Sequence, residues 1–415
     1  MWTLVGLVAL ALLFDYTNGF HDSANSVATV VATRVLRPRW AVAWAAGWNF
    51  VAFFLVGTAV ANTVGSTVRT EYLGVAVVFA ALLGAITWNF LSWHLGLPTS
   101  SSHALIGGLV GAGLTAGGLD AVKAASVEKT ALFLVVSPLA GLVLGGLAMT
   151  LLCRALHGRA DVPRTERRFR GLQLVSSAAV SLAHGGNDAQ KTMGVVAALL
   201  VSTGHLSAQA DGSLPVPGWV ALAAYAAIAA GTLSGGWGIV RTMGEGITPL
   251  RPVSGFAAET AAAIAVFGST VLGAPVSTTH TVAGSVAGVG TGNRGASVNW
   301  HVFGRLALAW LVTLPAAGLV ASLAYLLTSE VPHPVAWVVM PAALLVLVVA
   351  VLRGLRRAPT AGEVEPADDE EVVVRIQAAG DCVVDLRVIP ASREVLEHGG
   401  ARARARDAAR AALPL

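Results

Sequence analysis

Two polar motifs each occur twice in this 415-residue chain, and they hold most of the side chains able to do chemistry. Pro98-Thr99-Ser100-Ser101-Ser102-His103 returns as Pro275-Val276-Ser277-Thr278-Thr279-His280, at an offset of 280 − 103 = 177. Glycines follow at matched places, Gly107 with Gly284 and Gly111 with Gly288. Proline suits the first helical turn and Ser or Thr the cap, so each motif predicts the start of a helix. A helix start offers unpaired N–H groups and the positive end of the dipole, which together favour an anion. The hydroxyls of Thr99, Ser100, Ser101, Ser102, Ser277, Thr278 and Thr279 add donors for oxyanion oxygens. Two such termini converging would cradle a tetrahedral anion.

The second pair lies upstream. Asn18-Gly19-Phe20-His21-Asp22-Ser23-Ala24-Asn25 matches His184-Gly185-Gly186-Asn187-Asp188-Ala189-Gln190-Lys191, at an offset of 188 − 22 = 166. A carboxylate within an apolar segment is costly and marks ion or proton paths. Asp22 and Asp188, with Asn18, Asn25, Asn187 and the carbonyls of unwound backbone, suit a small hard cation or a proton relay. Capping of a broken helix is the plainer role open to both aspartates. His21 and His184 flank them and fit hydrogen bonding. His103 and His280 would orient the half-helices, titrate during a cycle, or simply pack. Lys191 stands where the first half has Asn25, and with Gln190 it is assigned to the anion. Its ammonium could also neutralise Asp188, fill a metal's place, or snorkel to the interface. Glu259, in an apolar run near 255–275, is a further candidate for proton coupling.

Composition says what must position these groups. The chain is 55% hydrophobic and 12% charged, where soluble domains average about a quarter charged. Leu73–Ser92 and Thr130–Leu152 carry no ionisable side chain, and each is near the roughly 20 residues that span a bilayer. Apolar segments fall near 2–20, 26–36, 40–61, 73–92, 103–117 and 130–152, and again near 171–200, 217–240, 255–275, 280–292, 302–327 and 335–352. Those at 103–117 and 280–292 are short and Gly-rich, as half-helices or re-entrant elements are. The fold class expected is an all-α polytopic membrane protein. Two inverted-topology repeats would bring broken or half helices together at a midplane site. The repeats are placed at 1–152 and 171–334, joined by a basic linker at 153–170. A final transmembrane helix at 335–357 and a soluble tail at 358–415 complete the chain. Arg154, Arg159, Arg164, Arg167, Arg168 and Arg170 place the linker in the cytoplasm. The formal charge of +4 reflects Arg in loops and gives no sign of a nucleic-acid partner. Neither a nucleotide-binding loop nor a His-Glu-x-x-His pattern is present, and no enzyme is read here.

Together the four motifs resemble the inorganic phosphate transporter (PiT) family, over about residues 1–350. The resemblance implies secondary active uptake of inorganic phosphate by an inverted-repeat fold with alternating access. It also implies that the Asn-Asp motifs serve coupling ion and substrate, and that the Pro-x-Ser-x-x-His segments form the central site. His21 replaces the Asn that usually precedes the first Asp, and Gln190-Lys191 replaces Ala-Asn after the second. Both departures resemble bacterial low-affinity members, associated with proton coupling and with uptake of neutral metal–phosphate complexes. The tail has no counterpart in the pattern. The expectation is a multi-pass protein of the cytoplasmic membrane, a possible homodimer. It would need no cofactor beyond its coupling cation, a proton in preference to sodium, with divalent metal carried on phosphate as a variant. A sodium symporter, a sulfate permease and an anion channel are the rival readings.

Overall fold

The computed structural model describes residues 2–157, 162–293 and 297–329, with 349, 353, 360–364, 372–377 and 385–390. Six helices are followed by six that repeat their order. The first set is α1 (Trp2–Ala32), α2 (Pro38–Val51), α3 (Ala59–Gly65), α4 (Val75–His94), α5 (Ser101–Gly117) and α6 (Ala124–Leu156). The second is α7 (Val162–Ser202), α8 (Gly218–Ser234), α9 (Trp237–Glu245), α10 (Pro252–Val271), α11 (Thr278–Gly292) and α12 (Trp300–Ser329). In both sets a long helix bearing the Asp motif precedes a sharply bent pair. The bend is 91° between α2, with its 3-10 extension, and α3, and 74° between α8 and α9. Among the described residues six helices are long and apolar enough to cross a membrane, or eight if each bent pair is one span. The chain is a polytopic membrane protein.

The half-helices form as their caps predict. Ser100 Oγ accepts from the His103 N–H at 3.2 Å, and Ser277 Oγ from the His280 N–H at 3.1 Å. With 15 residues α11 reaches roughly 23 Å, short of a hydrocarbon core about 30 Å thick. The 17 residues of α5 reach roughly 26 Å, and its 3-10 extension to Ala121 brings it to spanning length. The long helices α6 and α12 wrap the outside. Leu132, Leu139, Val143 and Leu147 on one, and Leu308, Leu319 and Leu323 on the other, are exposed, as lipid-facing residues are.

Glycine explains how the halves interlock. A Cβ on Gly107 would lie 2.3 Å from the Leu314 carbonyl oxygen, and one on Gly284 would lie 2.2 Å from that of Pro138. Only backbone without a side chain can approach so closely. One turn further on, Gly111 meets Gly318 and Gly288 meets Leu142 in the same sense. Each half-helix therefore runs parallel to the outer helix of the other repeat. By contrast α1 and α7 lie side by side in opposite directions. Thr33 pairs with Gln173 at one end, and Asp15 neighbours Thr192 at the other.

Several expectations are corrected. The Asp motifs do not break their helices: segment 2–20 and the start of segment 26–36 join in one 31-residue helix that ends at Ala32, and Asp188 lies inside a 41-residue one. The polar side chains find partners on neighbouring helices, so the backbone keeps its own ladder. Nor are most of the described residues of 153–170 loop. Arg154 is in the last turn of α6, and Arg164, Arg167, Arg168 and Arg170 occupy the first turns of α7. Arg extends a helix readily, and the extension carries α7 to about 61 Å. Arg170 Nη2 donates to the Arg34 carbonyl at 2.5 Å, so the two basic clusters share one side of the membrane. The helix expected at 335–357 lies almost wholly outside the described residues, as does most of 358–415. Of the tail, β1 (Val372–Gln377) and β2 (Asp385–Pro390) pair antiparallel, with Val372 opposite Pro390.

Candidate functional site

A polar stripe runs down α1 at Asp15, Asn18, Asp22, Asn25 and Thr29, spaced alternately three and four residues apart, which is one helix face. A second runs down α7 through Gln173, Ser177, Ser181, His184, Asp188 and Lys191. Both stripes are buried and face inward. The N-termini of α5 and α11 meet them at mid-helix.

On the α5 side, Ser101 Oγ lies 2.5 Å from Asn18 Oδ1 and 2.9 Å from Asp22 Oδ2. His21 Nδ1 is 2.6 Å from the other Asp22 oxygen, while its Nε2 faces Ser92 Oγ at 3.2 Å and Thr99 Oγ1 at 3.4 Å. Thr99 donates in turn to Ser92 at 2.8 Å, so it belongs to a relay behind Asp22. On the α11 side, Asn25 Nδ2 donates to Thr278 Oγ1 at 3.1 Å and Thr279 Oγ1 at 3.0 Å. Lys191 donates to Ser102 Oγ, to Asp188 Oδ1 at 2.5 Å and to the Val276 carbonyl at 3.1 Å. All three of its donors are used within the protein, and at 1% exposure it does not snorkel. Ser102 Oγ itself donates to the Val276 carbonyl at 3.0 Å, tying one half-helix entrance to the other.

The arrangement is crossed: Asn25 leaves the first repeat for α11, and Lys191 leaves the second for α5. His103 and His280 meet between the two half-helices, ring centroids 4.9 Å apart. His280 also stacks on Trp310 at 4.0 Å, and Trp310 Nε1 donates to the Pro98 carbonyl at 3.0 Å. None of the four ring nitrogens of this pair has a hydrogen-bond partner among the described residues. Asp188 Oδ2 also makes no hydrogen bond among the described residues, its contact being His184 Nε2 at 3.6 Å. Asp22, His184 and Asp188 each bring a ligand atom within 4.8 Å of the others. Carboxylate and imidazole donors in that triangle fit a small cation, and Lys191 competes for one corner of it.

These motifs occupy a stretch with known relatives. Residues 18–321 match the model of the Phosphate transporter family. The chain belongs to the phosphate transporter family. It is 51% identical, over 78% of its length and 95% of the relative's, to a "Probable low-affinity inorganic phosphate transporter" of Rhizobium meliloti. A protein of the same description from Bacillus subtilis is 39% identical over 78% of this chain and 97% of its own. Among solved structures, "The sodium-dependent phosphate transporter" superposes with a TM-score of 0.71 at 24% identity, covering 80% of this chain and all of that one. That likeness concerns the fold.

Within this family member the residues singled out from sequence divide into three groups. Asn18, Asp22, Asn25, Ser101, Ser102, Thr278, Thr279, Asp188 and Lys191 come together, with His21, His184 and Thr99 behind them and His103 and His280 between the half-helices. Ser100 and Ser277 are spent as caps. The rest lie apart from the cluster. Gln190 faces α3, where its Oε1 accepts from the Val60 N–H at 2.8 Å while Nε2 donates to the Gly186 carbonyl at 2.6 Å. Asn187 donates to Thr270 Oγ1 at 2.9 Å and the Ala274 carbonyl at 3.2 Å, and so anchors the approach to α11. Glu259, on α10, faces Thr29, two turns along α1 from Asp22, and accepts from it, from Gln173 Nε2 at 3.1 Å and from Ser176 Oγ at 2.5 Å.

Asp15, Asn49, Ser92 and Trp310 escaped the sequence reading. Asn49 holds His184, its Oδ1 3.3 Å from Nδ1, and donates to Thr232 at 2.9 Å. Asp15 had a legible signal, since it precedes Asp22 by seven residues, two turns up the same face.

Proposed function

We propose that this protein imports inorganic phosphate across the cytoplasmic membrane by symport with a cation, and that the cation is a proton. The reading rests most on the crossed contacts of Asn25 and Lys191, which hold two half-helix N-termini against one another. Phosphate would enter where Ser101, Ser102, Thr278 and Thr279 converge. Open N–H groups, two dipole ends and the Lys191 ammonium would compensate its charge. The relatives described as phosphate transporters support this choice of anion.

The proton is favoured by what already occupies the aspartates. Lys191 sits on Asp188 and His21 on Asp22, so each carboxylate has a built-in partner where a metal cation would otherwise bind. The triangle of Asp22, His184 and Asp188 supports a variant in which a divalent ion enters with phosphate. Sulfate is the second reading, since hydroxyls and helix termini accept either anion. Phosphate near neutral pH carries a proton that sulfate lacks, and the unpartnered Asp188 Oδ2 is an acceptor for it.

The repeated element order and the opposed directions of α1 and α7 support inverted repeats. Because the site residues are buried, substrate would reach either side only as the halves part, which is alternating access. The test is radiolabelled phosphate uptake into proteoliposomes, with pH and sodium gradients imposed separately and sulfate or divalent cations varied. Accumulation on the pH gradient alone is expected. A strict need for sodium would refute the proton, and uptake abolished by equimolar sulfate would refute the anion assignment.

A further inference from the structure

We propose that Asp15 binds the coupling cation, at a position separate from the phosphate cluster. The inference rests on the cation-symport reading above, under which that cation is a proton.

Asp15 has no exposed surface, and among the described residues neither carboxylate oxygen has a hydrogen bond of good geometry, with Thr192 and Asn18 the side chains placed to supply one. Among the carboxylates of the buried core this sets it apart. Asp22 is held by His21 and Ser101, Asp188 by Lys191, and Glu259 by three donors. A bare carboxylate in such surroundings is costly, and a bound positive charge relieves the cost.

Its surroundings are built of groups that also lack partners. Asn18 on α1 and Thr192 on α7 are its polar neighbours, and Tyr225 on α8 lies within electrostatic reach. Asn18 Nδ2, Thr192 Oγ1 and Tyr225 OH are all buried, and none makes a hydrogen bond of good geometry among the described residues. Three helices thus present unused polar atoms around one unused carboxylate. The charged or titratable groups facing it are Asp188 and Lys191 from α7 and Tyr225 from α8.

The position also suits coupling. Asn18 stands between Asp15 and the substrate cluster, its Oδ1 2.5 Å from Ser101 Oγ, which in turn contacts Asp22. Loading or emptying Asp15 changes what Asn18 faces, and Asn18 is one bond from the entrance of α5. No contact between Asp15 and phosphate is needed.

The experiment separates coupling from substrate handling in proteoliposomes. One assay follows gradient-driven accumulation of phosphate, and the other follows exchange of external labelled phosphate for internal unlabelled phosphate. Asp15→Asn cannot take up and release the cation, so its accumulation should fall about tenfold or more while exchange stays within about threefold of wild type. Asp15→Glu keeps an acid in another position, and should accumulate phosphate with a displaced pH profile. The proposal is overturned if Asp15→Asn accumulates like wild type. It is equally overturned if exchange is lost with accumulation in a variant of unchanged melting temperature, or if the Asp15→Glu profile does not move. Wild-type protein that exchanges no phosphate would refute the parent reading and this one together. Wild type driven only by sodium would refute the proton alone, with Asp15 then judged by the same variants on that gradient.

Discussion

Asn25 and Lys191 occupy the same place in their two repeats, 191 − 25 = 166 residues apart, and each reaches out of its own repeat to the half-helix of the other. One arm is a neutral amide and the other an ammonium. The site is therefore built on a two-fold plan and charged on one side.

The ammonium should be inseparable from Asp188. Lys191→Met leaves a buried carboxylate without its cation, which costs about 3–5 kcal/mol. Thermal unfolding in detergent should show the loss, and Asp188→Asn in the same chain should recover most of the stability. Phosphate uptake should stay abolished in the double variant, since the arm to Ser102 is still missing. Recovery of both would make the pair purely structural.

Asp188 should also set the choice between anions. Its free Oδ2 can accept from a protonated phosphate and only repels sulfate. One charge-assisted hydrogen bond is worth about tenfold in discrimination, so Asp188→Asn should raise sulfate inhibition of phosphate binding by roughly that factor. Competition in equilibrium binding to detergent-solubilised protein measures it. Unchanged selectivity would remove Asp188 from recognition.

The interlock of half-helix and outer helix should tolerate no side chain. Gly107→Ala and Gly284→Ala each place a Cβ about 2.2–2.3 Å from a backbone oxygen, and overpacking of this kind costs about 1–3 kcal/mol. Gly6→Ala meets nothing within 4 Å and should melt like wild type. Equal melting temperatures for all three would show that these helices are not packed as described.

Inverted repeats require matched loops to face opposite sides. Asp120 and Ser297 are counterparts, 297 − 120 = 177, and both are exposed. The Ser297 carbonyl accepts from Thr248, just past the end of α9, where Gly244 packs on Ala28 and Ala32. Ser297 therefore lies on the side of the Arg34 and Arg170 clusters, read as cytoplasmic. In intact cells an impermeant thiol reagent should label Asp120→Cys and not Ser297→Cys, beyond the labelling of the parent protein. Labelling of both would contradict inverted repeats, and labelling of Ser297→Cys alone would reverse the topology.

What could be read in advance was what short-range chemistry determines. Pro98 and Pro275, with Ser100 and Ser277 two residues on, specify helix starts by themselves, and both starts are where the motif puts them. The Asp motifs were misread as breaks because Gly19, Asn18 and Asn25 are poor helix formers when nothing else acts on them. Their partners, Ser101, Thr278 and Thr279, lie 79 to 254 residues away, and no local pattern announces them. Gln190 was grouped with Lys191 by adjacency, yet neighbours on a helix point about 100° apart, and Gln190 faces α3. Asp15 was hidden at the end of an apolar run. The seven-residue spacing to Asp22 would have exposed it had α1 been read as continuous.

The central claim is that phosphate binds between the N-termini of α5 and α11. The most direct measurement is an experimental structure of the protein with phosphate, compared with one without it. Difference density at the backbone N–H groups of residues 101–102 and 278–279, beside the Lys191 ammonium, is the predicted result. Density confined to the cleft of about 310 Å³ lined by Trp88, Leu95 and Arg305, with none between the half-helices, would contradict it.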